Sequence, residues 1–250
     1  MPIRDQEENM KTSRLLPGPA LALAALLLAS CATLEKGQVS SAEEAALISV
    51  YCDKQIDTSD FTGLAAAVNR LSQDKSFQLK SVATRLRDDI FNKYAPGLPF
   101  KIIPESQVIG SPAYRTFENQ KFSLNAVFYD VPDGYLFYPF SDDVAYKVLI
   151  DAFPDVEAFM VCTASFKLTK EFAIAGFGTA RVTSFVTILA LDRNRRVILR
   201  KSTFAASDDT IKFALGGVFD AAQILPLCIQ ATDKAARKFE AWFSEKMKEE

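Results

Sequence analysis

The chain of 250 residues contains no histidine. That absence excludes Ser-His-Asp triads, Cys-His dyads and histidine-bearing metal sites, and with them much of hydrolase chemistry. The sequence also lacks the GxGxxG pattern of dinucleotide sites and the GxxxxGKS or GxxxxGKT pattern of phosphate-binding loops. We therefore expect no enzyme activity, no cofactor and no bound metal.

One catalytic pattern is present, because Ser72 and Lys75 fit the Ser-x-x-Lys of penicillin-binding enzymes. Its Lys-Thr-Gly partner is missing, and Ser72 with Asp74 is better explained as the cap of a helix. Three pairs of adjacent aspartates are also present, at residues 88–89, 142–143 and 208–209. Adjacent side chains point apart, so these pairs are typical of caps and solvated surfaces. An enzyme would need a site that the sequence does not display.

Neither sign of charge dominates, since 29 basic and 31 acidic residues give a net charge of −2. We therefore expect no nucleic-acid partner. The chain has one tryptophan but 20 phenylalanines, which need either a core or a partner. Cysteine is scarce: Cys52, Cys162 and Cys228 lie in apolar patterns, and Cys31 lies near the start. The pattern around the first three favours buried, unreactive thiols. Three cysteines can form at most one disulfide bond within the chain.

No apolar run is long enough for a spanning helix, which needs about twenty residues. The longest candidate runs from Leu21 to Leu28, follows Lys11 and Arg14, and ends in small residues. A basic end, an apolar middle and a small-residue cut are typical of a signal peptide. We treat residues 1 to 30 as this leader. The acidic residues before Met10 suit a leader poorly, which makes Met10 an alternative start.

The leader ends in Leu28-Ala29-Ser30-Cys31, which resembles the lipobox of bacterial lipoproteins. The resemblance implies that Cys31 becomes the first residue of the mature chain and carries acyl groups that anchor it to a membrane. Ala32 stands where the inner-membrane retention signal of that family is usually Asp. The resemblance therefore favours the periplasmic face of the outer membrane over the inner membrane or the cell surface. The alternative is a chance cysteine behind an ordinary cleaved leader.

The remaining sequence predicts a tether and one domain. Residues 31 to 44 are small and polar, which predicts a flexible tether, and residues 45 to 250 suffice for a single periplasmic domain with a sizeable core. The expected elements of its first part are a buried strand over 46–52, a helix over 74–94 and a short strand over 100–103. Residues 105 to 140 stay unassigned, with strand-like alternation over 122–128 and a turn at 132–134.

The second part of the domain carries stronger periodic signals. We expect a helix over 141–152, a strand over 156–168, a hairpin of strands 178–190 and 196–205 around the turn 192–195, and a terminal helix. An apolar stripe on that helix comprises Ile224, Cys228, Ala231, Ala235, Phe239 and Trp242. The order of elements predicts an α+β fold, a single central mixed sheet with a C-terminal antiparallel meander, covered by helices.

Three of these segments, residues 155–161, the strand ending in Leu191-Asp192 and the terminal helix, resemble a known periplasmic α/β lipoprotein domain. That group includes the curli-secretion lipoprotein, the penicillin-binding-protein activator lipoprotein and the amino-terminal domain of TolB. The similarity extends over residues 45 to 245, with Cys162 and Arg195 standing where the group often has Gly. It implies a protein that acts by binding and assembly and has no catalytic residue.

Two segments are candidate binding sites. The first is a basic cluster at one end of the hairpin, with Arg181 nearby, that would meet anionic lipid, glycan or an acidic partner; it comprises Arg193, Arg195, Arg196, Arg200 and Lys201. The second is an apolar segment before the terminal helix, with Phe213, Leu215 and Phe219. The alternatives are a solvated turn for the first and a loop folded over the core for the second.

Three classes of function follow. We favour a membrane-anchored periplasmic lipoprotein that binds or positions another envelope component without catalysis. The second class is an oligomeric secretion pore of the curli-secretion type, and the third is an enzyme with an unrecognised site. The sequence leaves the oligomeric state and the identity of the partner open.

Overall fold

The computed structural model describes residues 33–34, 42–61, 77–115, 128–138, 143–174, 177–213 and 221–246. All of these belong to one compact unit, Ala32–Glu250. The strands are β1 (Thr33–Leu34), β2 (Glu44–Asp53), β3 (Lys101–Ile102), β4 (Tyr129–Asp130), β5 (Ala158–Ile174), β6 (Phe177–Asp192), β7 (Val197–Ala206) and β8 (Ile211–Phe213). The α-helices are α1 (Lys80–Asp89), α2 (Glu105–Gly110), α3 (Pro112–Arg115), α4 (Asp143–Ala152) and α5 (Ala221–Lys246).

The strands form one mixed sheet, which confirms the predicted α+β fold. Its main path runs β1-β7-β6-β5-β2-β3, while β4 pairs with β2 and β8 pairs with β6. Strand β2 lies parallel to β5 and β3, and β5, β6 and β7 form the predicted antiparallel meander. Side chains of β2 are buried on both faces, as expected for a parallel strand with a continuous apolar run.

One face of the sheet packs against α1 and α5, and we call it the α5 face. The predicted alternation is confirmed there: the inward side chains of β5 and β6 are buried against the stripe of α5. These inward residues are Met160, Cys162, Ala164, Phe166, Leu168, Ala180, Val182, Val186 and Ile188. Of the predicted stripe on α5, only Trp242 is partly exposed. No described helix is both long enough and apolar enough to cross a bilayer.

Among the described residues, helices cover the opposite face, which we call the outer face, at one end only. Helices α2, α3 and α4 pack there in a second apolar cluster that includes Phe159, Val161 and Leu191. The Tyr146 ring of α4 lies edge-on to Phe159, with 5.5 Å between centroids. Past Val161 in β5 and Leu189 in β6, this cluster has no further member among the described residues.

The segment between β3 and α4 is held to β2 by two polar side chains. The Tyr114 hydroxyl donates to the Ile48 carbonyl at 2.7 Å and accepts from the Leu136 amide at 2.9 Å. The Ser49 hydroxyl donates to the Leu136 carbonyl at 2.8 Å and accepts from the Tyr138 amide at 3.2 Å. A shift of register between Leu47 and Ser49 leaves the Ile48 carbonyl available for the hydrogen bond from Tyr114.

Within that segment the structure resolves part of what the sequence left unassigned. Helices α2 and α3 occupy its start, and the predicted turn at 132–134 is confirmed, with Gly134 at φ 83°. The positive φ favours glycine, because other residues rarely adopt it. Of the strand-like alternation predicted over 122–128, only Phe128 belongs to the described residues, and it lies directly before β4.

Two predicted boundaries are wrong. Helix α1 begins at Lys80 and not at 74, because the amide of Leu79 donates to the carboxylate of Asp130 and residues 77–79 are not helical. After α1 the chain continues through a π-helical turn and a 3₁₀ turn that contains Pro96. Strand β5 continues to Ile174 and not to 168, since its hairpin with β6 extends past the part covered by helices.

The three cysteines of the described part of the chain are buried and unpaired, as the apolar pattern predicted. Cys52 and Cys162 lie on the α5 face in neighbouring strands, and Cys228 lies on α5. Burial raises the pKa of all three thiols, that of Cys162 to about 12. Because the thiolate is the reactive form, these side chains are poor nucleophiles at neutral pH.

Candidate binding site: the uncovered outer face

Large exposed hydrophobic side chains of the described residues are confined to the meander. They are Phe172 and Ile174 of β5, Phe177 and Phe185 of β6, and Phe204 of β7. Their exposed fractions run from 40% for Phe185 to 63% for Ile174. Buried apolar side chains already fill the α5 face, so these five side chains are not part of that core.

The strand register places all five on the outer face. Phe185 lies opposite Phe204 and Ile174 lies opposite Phe177, and directly opposed residues share a face. Phe177 and Phe185 are separated by an even number of positions, so they point to the same side of β6. That side is opposite to the buried Val182, whose neighbours form the α5 face.

A β-bulge determines which face of the sheet the side chains of Phe172 and Ile174 in β5 point to. Alternation from Leu168 alone would point Phe172 toward the α5 face, but the register shifts between Lys170 and Phe172. Across the hairpin stands Gly178, where a Cβ atom would lie 2.0 Å from the Phe172 carbonyl oxygen. The close approach of the two backbones therefore requires glycine at this position.

The five side chains form two groups. Phe185 and Phe204 form a pair with 5.9 Å between ring centroids, and we call it the mid-face pair. Phe172, Ile174 and Phe177 cluster at the end of the hairpin, and we call them the tip. The distance along β6 between Phe177 and Phe185 is roughly 26 Å, at about 3.3 Å per residue. Small hydroxyl side chains fill the space between, and those of Thr169 and Thr183 are hydrogen-bonded at 3.0 Å.

Positive charge predominates on the outer face. Its basic residues are Lys167 of β5, Arg181 of β6, Arg200 of β7 and Lys212 of β8. Lys167 pairs with Asp60 at 2.8 Å, which raises the pKa of the lysine, and Arg181 pairs with the bulge residue Glu171 at 2.8 Å. No acid occupies an outward position between 177 and 187 of β6 or between 200 and 206 of β7.

The free edge of β7 beside the mid-face pair is closed by α5. The Lys238 ammonium donates to the Phe204 carbonyl at 2.6 Å and lies 5.0 Å from the centroid of its ring. A helix that covers an edge strand discourages pairing of that strand with another chain. A shallow groove of about 430 Å³ lies here and is lined by Arg181, Thr183, Phe204, Lys234, Arg237 and Lys238. This edge adds basic side chains to the margin of the outer face.

The structure does not bring the five predicted basic residues into one patch. The Arg193 guanidinium donates to the carbonyls of Ile150, Phe153, Pro154 and Val156 at 2.8 to 3.2 Å. These are the carbonyls at and beyond the end of α4, which have no partner within a helix. Arg193 therefore stabilises the end of α4, where its positive charge also complements the helix dipole.

The other four basic residues point in different directions. Arg195, at φ 64°, lies over the Tyr146 ring at 5.6 Å, and Lys201 lies over the Trp242 ring of α5 at 4.7 Å. Arg196 is exposed on the turn and Arg200 is exposed on the outer face. Of the five, the strand register places only Arg200 with the exposed phenylalanines.

The predicted apolar segment is described only at its start. Phe213 is 9% exposed and packs edge-on against Phe61 at 5.2 Å, so it belongs to the core. Leu215 and Phe219 lie outside the described residues, as do Cys31 and the Ser72 pattern. Apart from Arg200, the sequence did not predict the residues of the outer face. Two signals for them are present, the high phenylalanine content and Gly178, a glycine in a strand pattern that is typical of a bulge.

Replacing Arg193 by alanine should destabilise the domain by about 2 kcal/mol, because four carbonyls lose a charged donor. For a chain of this length that loss lowers Tm by roughly 4 to 8 °C. Arg196→Ala is the matched control on the same turn, and its effect should stay within about 0.5 kcal/mol. Urea unfolding of both variants measures the difference. Equal stabilities would show that Arg193 does not hold the end of α4.

Comparison with protein-family profiles and with curated protein sequences finds no match. Several solved structures are similar. The hypothetical protein CT253 from Chlamydia trachomatis has 7% identity and a TM-score of 0.35, covering 81% of this chain and 98% of that chain. A neuraminyllactose-binding hemagglutinin homolog from Helicobacter pylori has 8% identity and a TM-score of 0.37, covering 84% and 89%. Lipoprotein GNA1162 from Neisseria meningitidis has 11% identity and a TM-score of 0.24, covering 74% and 93%.

At these identities and TM-scores the similarities carry no conclusion about function. The resemblance of residues 45 to 245 to the curli-secretion, activator and TolB domains stays a prediction.

Proposed function

We propose that the protein is a lipid-anchored component of the bacterial envelope that acts by binding and assembly and not by catalysis. The leader sequence before Cys31 supports a lipid anchor on that residue. Ala32 supports localisation at the periplasmic face of the outer membrane. The absence of histidine from the whole chain supports the non-catalytic role, since the commonest general base is missing. The partner proposed from the sequence is another component of the envelope.

The observation that carries this proposal is the uncovered outer face. Large hydrophobic side chains gathered on one surface are a mark of an interaction site, whereas single exposed ones are ordinary. The backbone amides and carbonyls of β6 are paired on both sides, with β5 on one and with β7 or β8 on the other. A surface built on such strands is rigid, so a partner bound there has little ordering cost to overcome.

Photocrosslinking in living cells tests the binding role. We would place p-benzoylphenylalanine at Phe185 or at Phe204, where it extends an exposed ring without entering the core. The control position is Gln223, which is exposed on α5 and therefore on the other side of the sheet. We expect adducts with protein or lipid at 185 and 204 and none at 223. Equal or absent labelling at all three positions would overturn the outer face as the binding site.

A further inference from the structure

We propose that the outer face lies against the anionic bilayer that holds the acyl anchor, with the tip and the mid-face pair among the lipids. The inference rests on the proposed lipid anchor at Cys31 and names the occupant of the same face. The bilayer would then be bound twice, by the acyl chains and by the sheet.

The position of β1 brings the anchor to the sheet. Thr33 pairs antiparallel with Arg200 of β7, and Leu34 pairs with Leu199. Thr33 and Leu34 lie within the segment that the sequence predicts as a tether. Cys31 precedes Thr33 by two residues, which span at most about 7 Å. Little chain therefore separates the proposed anchor from the edge strand β7, on which the Arg200 side chain lies on the outer face.

The chemistry of the outer face fits an anionic bilayer. Aromatic and aliphatic side chains bury themselves at the boundary between headgroups and acyl chains, while lysine and arginine attract anionic lipids. The outer face offers both, with exposed rings at the tip and the mid-face pair and with Arg181, Arg200 and Lys212 between or beside them. The groups of rings are roughly 26 Å apart along β6. A broad surface reaches both groups at once, whereas a short peptide in one pocket does not.

The same charges disfavour a second copy of the chain as the occupant. Two outer faces in a symmetric dimer would meet through the same patch, so the basic residues of one copy would face those of the other. Like charges across an interface are destabilising. Asp60 and Glu171 already pair with Lys167 and Arg181, and the outward positions of β6 and β7 provide no further acid to compensate Arg200 and Lys212.

A fluorescent probe at the tip tests the contact in the complete, acylated protein. Ile174→Cys is labelled with the environment-sensitive dye NBD, and Gln223→Cys on α5 is the matched control. The native thiols of the described residues are buried, and Cys31 is blocked by its lipid, so labelling is selective. Each protein is reconstituted at low density into vesicles of phosphatidylethanolamine and phosphatidylglycerol. Spin-labelled phospholipid should reduce NBD emission at 174 by about twofold, with a blue shift, and leave 223 unchanged.

The outcomes separate the anchor from the contact. Protein that does not float with the vesicles lacks the anchor, which overturns the proposed function. Protein that floats, but whose label at 174 behaves like that at 223, overturns this inference alone. A blue shift that grows with surface density and is not quenched by the spin-labelled lipid identifies a second copy as the occupant and also overturns it. Adding Phe177→Asp to the Ile174→Cys protein should abolish the quenching while the thermal unfolding curve stays unchanged, because Phe177 is 57% exposed.

Discussion

Replacing Cys31 by alanine should transfer nearly all of the protein from the membrane fraction to the soluble fraction once the membranes are washed at high ionic strength. Without the thiol there is no site for acylation, and each buried methylene of an acyl chain contributes about 0.8 kcal/mol to membrane binding. Fractionation of cells followed by immunoblotting measures the transfer. Ser30→Ala is the matched control, because a small residue is kept before the cysteine and the protein should stay with the membranes.

Some attachment of the Cys31→Ala protein through the outer face is compatible with this account, provided that it is electrostatic. Salt screens the attraction between basic side chains and anionic lipids, so a wash at high ionic strength should release that protein. If Cys31→Ala protein stays with the membranes after such a wash, the lipid on Cys31 is not the anchor.

Replacing Phe239 by alanine should cost about 3 to 5 kcal/mol of unfolding free energy, the range for deleting a buried aromatic ring. Phe239 lies on α5, is fully buried, and has the rings of Tyr94 and Phe243 at 6.1 and 6.4 Å. Removing it leaves a cavity between α5 and the sheet. The total free energy of unfolding of many domains is only about 5 to 15 kcal/mol. The variant should therefore unfold at a much lower urea concentration than the unchanged protein.

Phe204→Ala is the matched control for that loss. Phe204 is 60% exposed on the outer face, so its removal should cost less than about 1 kcal/mol, including the contact with Lys238. A similar loss for the two variants would mean that the outer face is part of the core, and the binding role proposed for it would have no structural basis.

The meander and α5 were predictable because their signals are local. The alternation of apolar and polar residues around Val182 and Val186 predicts a half-buried strand, wherever its partner strand lies. The apolar stripe on α5 likewise predicts the buried side of that helix. The turn at 192–195 is equally local, with the Asp192 carboxylate accepting from the amides of Asn194 and Arg196. Such features need no knowledge of distant contacts.

The outer face and the role of Arg193 depend on distant contacts, and the sequence did not predict them. Extending the alternation of β5 past Leu168 would point Phe172 inward, and only the bulge between Lys170 and Phe172, next to the close approach at Gly178, reverses it. Arg193 reads as one cation among several on a turn, since its four carbonyl partners lie about forty residues earlier. Strand β1 has two residues and no periodic signal, so its pairing with β7 is a property of the fold alone.

Mass spectrometry of the native amino terminus shows whether this is a lipid-anchored envelope protein. We expect a chain that begins at residue 31, with acyl groups on the sulfur and the amino nitrogen of Cys31. A bare thiol at residue 31, or a chain that still carries residues 1 to 30, would contradict it.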